Sequence, residues 1–139
     1  MKNKFYIDAN IILDYCLDRK EKESAKIVLD SISSGDIIGY TSSSIIHILS
    51  YVLVHEFGVV KKKEVILSII EDLEMIDTPK EFVIQSLYSK MNDIEDALQY
   101  YTAMHHKVPY FISNDKKLKK ESINTLPVFT SSEFVKEFL

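Results

Sequence analysis

The chain has 139 residues, a net charge of −4, 46% hydrophobic residues and a single cysteine. This length suits one domain, residues 1–139, with room for a real core, and the lone Cys16 excludes an internal disulfide and fits a reducing cytoplasm. The acidic balance argues against a protein that coats nucleic acid through bulk charge, because nonspecific affinity comes from neutralising phosphates; it leaves open a surface on which acidic clusters and local basic patches coexist.

No apolar run approaches the roughly 20 residues of a membrane span, and Met1 to Tyr6 is too short and too polar for a signal peptide. Lys4 to Ile7 reads as a short strand ending at Asp8. Ile11, Ile12, Leu13 and Tyr15 open a helix, with Asp8 or Asn10 near its cap. Glu21 to Ser34 carries apolar residues at helical spacing and closes at Gly35. Asp36 to Tyr40 reads as a second strand. Ser42 to Phe57 and Lys61 to Leu73 read as two amphipathic helices, their apolar positions recurring at steps of three and four. A short strand is expected at Glu74 to Ile76, then a helix opened by Pro79 and running to about Ser89. Asp93 to His106 is a further helix, Tyr110 to Ser113 a strand, Pro127 to Phe129 a last strand and Ser131 to Leu139 a last helix. Strands alternating with helices imply an α/β sandwich around a mainly parallel sheet, with right-handed crossovers.

In such sheets ligands bind beyond the carboxyl ends of the strands. Asp8 follows the first strand, Thr41 to Ser44 the second, and Asn114 and Asp115 the strand at 110–113; Asp93 and Asp96 open a helix that can start on the same edge. Carboxylates gathered on one rim repel one another unless a cation lies between them, and oxygen-only ligands favour Mg²⁺ or Mn²⁺. A second reading stands beside this one. Each acid lies near a helix start, where Asp and Asn are favoured caps and acids meet the positive end of the helix dipole.

Four segments in order resemble the PIN-domain family. Tyr6-Ile7-Asp8-Ala9-Asn10-Ile11-Ile12-Leu13-Asp14 is similar to its opening strand, Asp93-Ile94-Glu95-Asp96-Ala97-Leu98-Gln99-Tyr100 to its central acidic motif, and Tyr110-Phe111-Ile112-Ser113-Asn114-Asp115-Lys116-Lys117-Leu118 to its late strand and final acid. Leu126-Pro127-Val128-Phe129-Thr130 with Ser132-Glu133-Phe134 is similar to its tail. The resemblance implies a three-layer α/β/α sandwich with a mainly parallel sheet of about four to five strands. It implies a cytoplasmic ribonuclease that hydrolyses RNA with Mg²⁺ or Mn²⁺ held by Asp8, Asp96 and Asp115, Asp93 assisting. Asn10 would orient Asp8 or a water, Ser42 and Asn114 would stand at the substrate rim, and Lys116 and Lys117 would meet phosphate. Many such single-domain proteins are VapC-like toxins silenced by a small antitoxin protein, often as homodimers. One departure matters: many members carry another acid at the position of Ile48, next to His47. Its loss motivates an alternative, a catalytically degenerate PIN fold that binds RNA or protein.

The remaining candidates carry blander readings. His47, His55, His105 and His106 form no spaced zinc set, and Cys16 reads as a small buried apolar residue. Tyr15, Tyr40, Phe57 and at least one of Tyr100 and Tyr101 read as core. A phospho-receiver domain using Asp8 is disfavoured, because Asp8-Ala9-Asn10 lacks a second acid two residues on and no Gly-rich phosphate loop is present.

Overall fold

A computed structural model describes residues 2–139; Met1, the first residue of the segment weighed as a signal peptide, lies outside the described residues. The elements are β1 (Lys4–Ile7), α1 (Ala9–Cys16), α2 (Lys22–Ser33), β2 (Ile38–Ser42), α3 (Ser44–Ile70), β3 (Glu74–Ile76), α4 (Lys80–Tyr88), α5 (Ile94–His105), β4 (Tyr110–Ile112), α6 (Lys116–Glu121), β5 (Val128–Phe129) and α7 (Ser131–Phe138). The five strands form one sheet in the order β3-β2-β1-β4-β5, and every pairing is parallel. The chain moves outward from β1 through β2 to β3, then crosses to the other side of β1 for β4 and β5. The switch point therefore lies between the carboxyl ends of β1 and β4, where a crevice is expected.

Side chains on adjacent strand residues point to opposite faces. Tyr6 and Phe111 face one way, stacked with ring centroids 5.0 Å apart, and pack with Ala97, Tyr100 and Ala103 of α5 and Leu118 of α6. Phe5, Ile7 and Ile112 face the other way, onto Ile11 of α1, Val28 of α2 and Phe134 of α7. A third cluster joins Ala9, Ile12 and Leu13 of α1 to Ile45, Leu49 and Leu53 of α3. The result is a three-layer α/β/α sandwich, as the family resemblance implies. Tyr100 is fully buried, while Tyr15, Tyr40, Phe57 and Tyr101 are half-buried against the core clusters.

Three elements differ from the sequence reading. The second strand begins at Ile38, not Asp36, because Gly35 (φ 84°) ends α2 and the Ser31 carbonyl takes the N–H groups of both Asp36 and Ile37. The strand then runs on to Ser42, so Ser42 lies in it rather than after it. The helices expected at 42–57 and 61–73 are continuous in α3 except at Gly58, whose φ of 78° and ψ of 176° break the helical path. By length and composition the whole of α3 is long and apolar enough to cross a membrane, which corrects the reading of the bare sequence. The break divides it into arms of 44–57 and 59–70, each short of the ~20 residues a span needs. Finally α6 was not anticipated: Leu118 is its only apolar residue, too little for a periodic signal.

The backbone region occupied by Gly58 is essentially closed to other residues. Gly58→Ala should destabilise the protein by about 1–3 kcal/mol, although nothing stands within 4 Å of the added Cβ. Urea unfolding of the two proteins checks this; equal midpoints would mean that the break is not needed.

Candidate active site

Asp8 leaves β1 in extended conformation (φ −65°, ψ 145°) and caps α1. The parallel register pairs Ile7 with Ile112, so the residue after each strand, Asp8 and Ser113, meets at the switch point. Asp8 is only 2% exposed. Its Oδ2 accepts the Ser113 hydroxyl at 2.6 Å, and its Oδ1 accepts the Gln99 amide at 3.0 Å and the Asn10 backbone N–H at 3.3 Å. Three accepted bonds leave about one lone-pair direction free on this carboxylate.

The other acids arrive on helix starts. Asp93 caps α5 by accepting the Asp96 N–H at 3.1 Å, and Asp115 caps α6 by accepting those of Lys117 and Leu118 at 2.9 and 3.2 Å. Both use Oδ1 for this. The capping reading is thus correct for Asp8, Asp93 and Asp115, and it does not compete with convergence. Asp96 sits in the first turn of α5 and feels all three. Burial raises its pKa first, and the nearby charges of Asp8, Asp93 and Asp115 raise it further, well above the ordinary carboxylate range. Burial likewise lifts Asp8 to about 6, opposed by its bonds from Ser113, Asn10 and Gln99 and assisted by the Asp115 charge. Four aspartates from three segments therefore share one field. Among the described residues no three acidic or imidazole side chains meet closely enough to form a finished cation cage. The donor set still fits a hard divalent ion: it is all oxygen, crowded with like charge, and keeps carboxylate oxygens unused by the caps.

The remaining predicted residues fall around this centre. The Asn10 amide donates to Ser113 Oγ at 3.1 Å and its carbonyl oxygen accepts the Asn114 N–H at 3.2 Å, so its side chain braces the junction; only its backbone N–H meets Asp8. Ser42 shares hydrogen bonds with the Tyr6 hydroxyl at 2.8 Å and with Ser44 at 2.7 Å. Asn114 donates to Asp14 at 2.9 Å and accepts from the Ser131 N–H and hydroxyl at 2.9 and 3.1 Å. Lys116 and Lys117 are exposed beside Asp115, whereas Lys119 turns to Glu133 and the Val128 carbonyl. His47 is exposed, and Ile48 is half-buried in the α1–α3 cluster. His106 shares a hydrogen bond with the Asp77 carbonyl in the loop after β3, which is not a helix end, so its side chain ties two elements together rather than capping a helix.

Sequence reasoning assigned no role to Gln99, Ser113 or Asp14. Gln99 lies three residues after Asp96, hence on the same face of a helix. Ser113 follows β4 as Asp8 follows β1. Both signals were present, but only the register and the packing of α5 turn them into contacts.

The fold is an all-parallel α/β sandwich with four aspartates near its switch point. The chain belongs to the PIN-domain family: the family's PIN domain model matches residues 4–117. Among solved structures it is similar to VapBC2 from Rickettsia felis bound to a DNA fragment from their promoter, at 16% identity and a TM-score of 0.70, covering 91% of this chain and 98% of that one. It is also similar to PAE2754 from Pyrobaculum aerophilum, at 11% identity and a TM-score of 0.63, covering 98% and 96% of the two chains. At these identities the likeness shows the fold. The sequence matches no curated protein.

Both carboxylate shifts are upward, so the folded state holds these protons more tightly than the unfolded chain, whose carboxyls titrate near 3.8. Their contribution to stability is complete below that value and is lost as pH rises through about 6 for Asp8 and higher for Asp96. Thermal unfolding in EDTA should therefore show these acids costing stability between pH 5 and 8. Asp96→Asn should raise the midpoint at pH 7.5 and flatten that dependence; a lower midpoint would mean that Asp96 is not electrostatically strained.

Proposed function

We propose that the protein is a metal-dependent endoribonuclease that hydrolyses RNA phosphodiester bonds in the cytoplasm. The observation that carries the reading is the shared field of Asp8, Asp93, Asp96 and Asp115 at the switch point, with Asp8 and Asp96 pushed upward. Asp8, Asp96 and Asp115 would hold Mg²⁺ or Mn²⁺, with Asp93 assisting. Such an ion, when bound, supplies an acidified water and stabilises charge that develops on the phosphate. Asp8 gives a fixed anchor, because three protein donors set its orientation. Asp96, in the first turn of α5, would supply a second carboxylate to the same ion. Lys116 and Lys117 offer cationic contacts to the phosphates beside Asp115, and Asn10, Ser42 and Asn114 keep the substrate rim in shape.

The likeness to VapBC2 supports a further reading, that the chain is the toxin of a toxin–antitoxin pair and is silenced by a small protein partner. Exposed Tyr51, Val59, Val60 and Leu67 on α3 support an association surface for that partner or for a second copy in a homodimer. Ile48, apolar where many relatives are acidic, favours the competing reading of a PIN fold that binds without cutting.

Incubating a mixed RNA pool with the purified protein in Mn²⁺ or Mg²⁺, against EDTA and against Asp96→Asn, separates these readings. Metal-dependent cutting reduced at least ~100-fold in the variant is expected, as for loss of a group that acts in the transition state. Intact RNA with folded protein, across many sequences, would favour the binding module. Replacing Lys116 and Lys117 together by Ala should weaken RNA binding and lower its log–log salt slope by about 1.4; an unchanged slope would place the phosphates elsewhere.

A further inference from the structure

Gln99 has no assigned role in the reading above, yet it makes the only side-chain hydrogen bond from α5 to Asp8 among the described residues. It is 1% exposed. Its Nε2 donates to Asp8 Oδ1 at 3.0 Å, and its Oε1 accepts the N–H of Ala9 at 3.1 Å. The amide thus grips the carboxylate and the peptide that follows it. The first N–H groups of a helix have no partner within the helix. The Asp8 cap serves Asn10, and Gln99 serves Ala9. An apolar side chain here would strand the Ala9 N–H and remove a donor from Asp8. A glutamate could accept from Ala9 but could not donate to Asp8 when ionised. Of the common side chains, only an amide of this length serves both ends. Asp96 lies three residues earlier on α5, so the same helix carries one acid and holds the other.

We propose that Gln99 is a positioning residue for the carboxylate centre: its amide bridges α5 to the β1–α1 junction and fixes Asp8 relative to Asp96, so that a divalent cation meets the two acids at a preset separation. The inference rests on the reading of Asp8 and Asp96 as cation ligands. Both ends of the Gln99 amide are spent on Asp8 and Ala9, so its loss acts through Asp8. Ser113 holds the same carboxylate from the β4 side and the Asn10 N–H from the start of α1, so loss of the Gln99 amide removes one of three donors, the one that ties Asp8 to α5.

The test uses the full-length protein and Mn²⁺ alone, titrated by calorimetry, followed by RNA cleavage at several Mn²⁺ concentrations. Gln99→Met keeps length and bulk without the amide. Its Mn²⁺ affinity should fall about 10-fold, in line with loss of a group that orients a ligand. Its kcat should fall at low Mn²⁺ and recover partly at high Mn²⁺, with the KM for RNA nearly unchanged. A purely structural role would lower the melting temperature and leave the Mn²⁺ affinity of the folded protein as it was. If wild type binds Mn²⁺, Asp96→Asn does not, and Gln99→Met binds as wild type does, the positioning role is overturned while the site reading stands. If wild type itself takes up no Mn²⁺ and cuts no RNA, the site reading fails and the inference with it. Should Gln99→Met not fold, Gln99→Asn, with the amide kept one methylene short, is read the same way: an unchanged Mn²⁺ affinity overturns the role.

Discussion

A carboxylate buried at the end of the central strand must be supplied with donors, because an unsolvated charge without partners is far more costly than any single contact can repay. Asp8 obtains its donors from three directions: Ser113 from the end of β4, Gln99 from α5, and the Asn10 N–H from the start of α1. Meeting that demand constrains the rest of the architecture. Strand β4 must lie beside β1 in parallel register, so that Asp8 and Ser113 emerge together. Helix α5 must approach closely enough for an amide to reach across, and its small Ala97 and Ala103, both fully buried, allow this. The order β3-β2-β1-β4-β5 and the switch point are thus bound up with one acidic side chain.

Around that centre runs a wider polar frame. Ser113 Oγ gathers the Asn10 amide and the Asp115 N–H, so the two loops at the switch point are tied to each other as well as to Asp8. Asn114 links Asp14 of α1 to the start of α7, and Ser131 there shares a hydrogen bond with Ser24 of α2. On the opposite side the hydroxyls of Thr78 and Thr102 pair, and His106 holds the Asp77 carbonyl, which joins the end of β3 to α5. Buried networks of this kind rigidify when every member is satisfied. The aspartates are therefore held close by a frame that does not yield to their repulsion. Burial above all, with the neighbouring carboxylates adding to it, pushes Asp8 and Asp96 upward.

The position of Ile48 shows what such a frame tolerates. Its side chain joins the apolar contacts between α1 and α3, alongside the buried Ile45 and Leu49. An apolar residue is compatible with that packing, so the fold persists without a carboxylate there. The remaining aspartates come from β1, α5 and the loop after β4, the segments that Gln99, Ser113 and Asn10 connect. Negative charge is concentrated on the β1–β4 side of the rim.

Much of this was written into local sequence. Alternating strand and helix patterns specified the layered α/β class, and short acidic segments in order specified the family, because periodicity and motif spacing are properties of a few neighbouring residues. Asp8, Asp93, Asp96 and Asp115 could be placed on one rim for the same reason, since each follows a strand or opens a helix. Tertiary structure decided the rest. The Gly58 break, the delayed start of β2 after Gly35 and the short α6 depend on backbone angles and caps that apolar spacing does not encode. Whether the aspartates were helix caps or neighbours on one rim was undecidable from the chain alone; folding makes Asp8, Asp93 and Asp115 caps and brings their charges to bear on Asp96. Gln99, Ser113 and Asp14 were visible as polar residues and unreadable as partners. Their roles arise from contacts across 91, 105 and 100 residues, to Asp8, Asp8 and Asn114 respectively, and a hydrogen bond that long in sequence exists only once the sheet has chosen its neighbours.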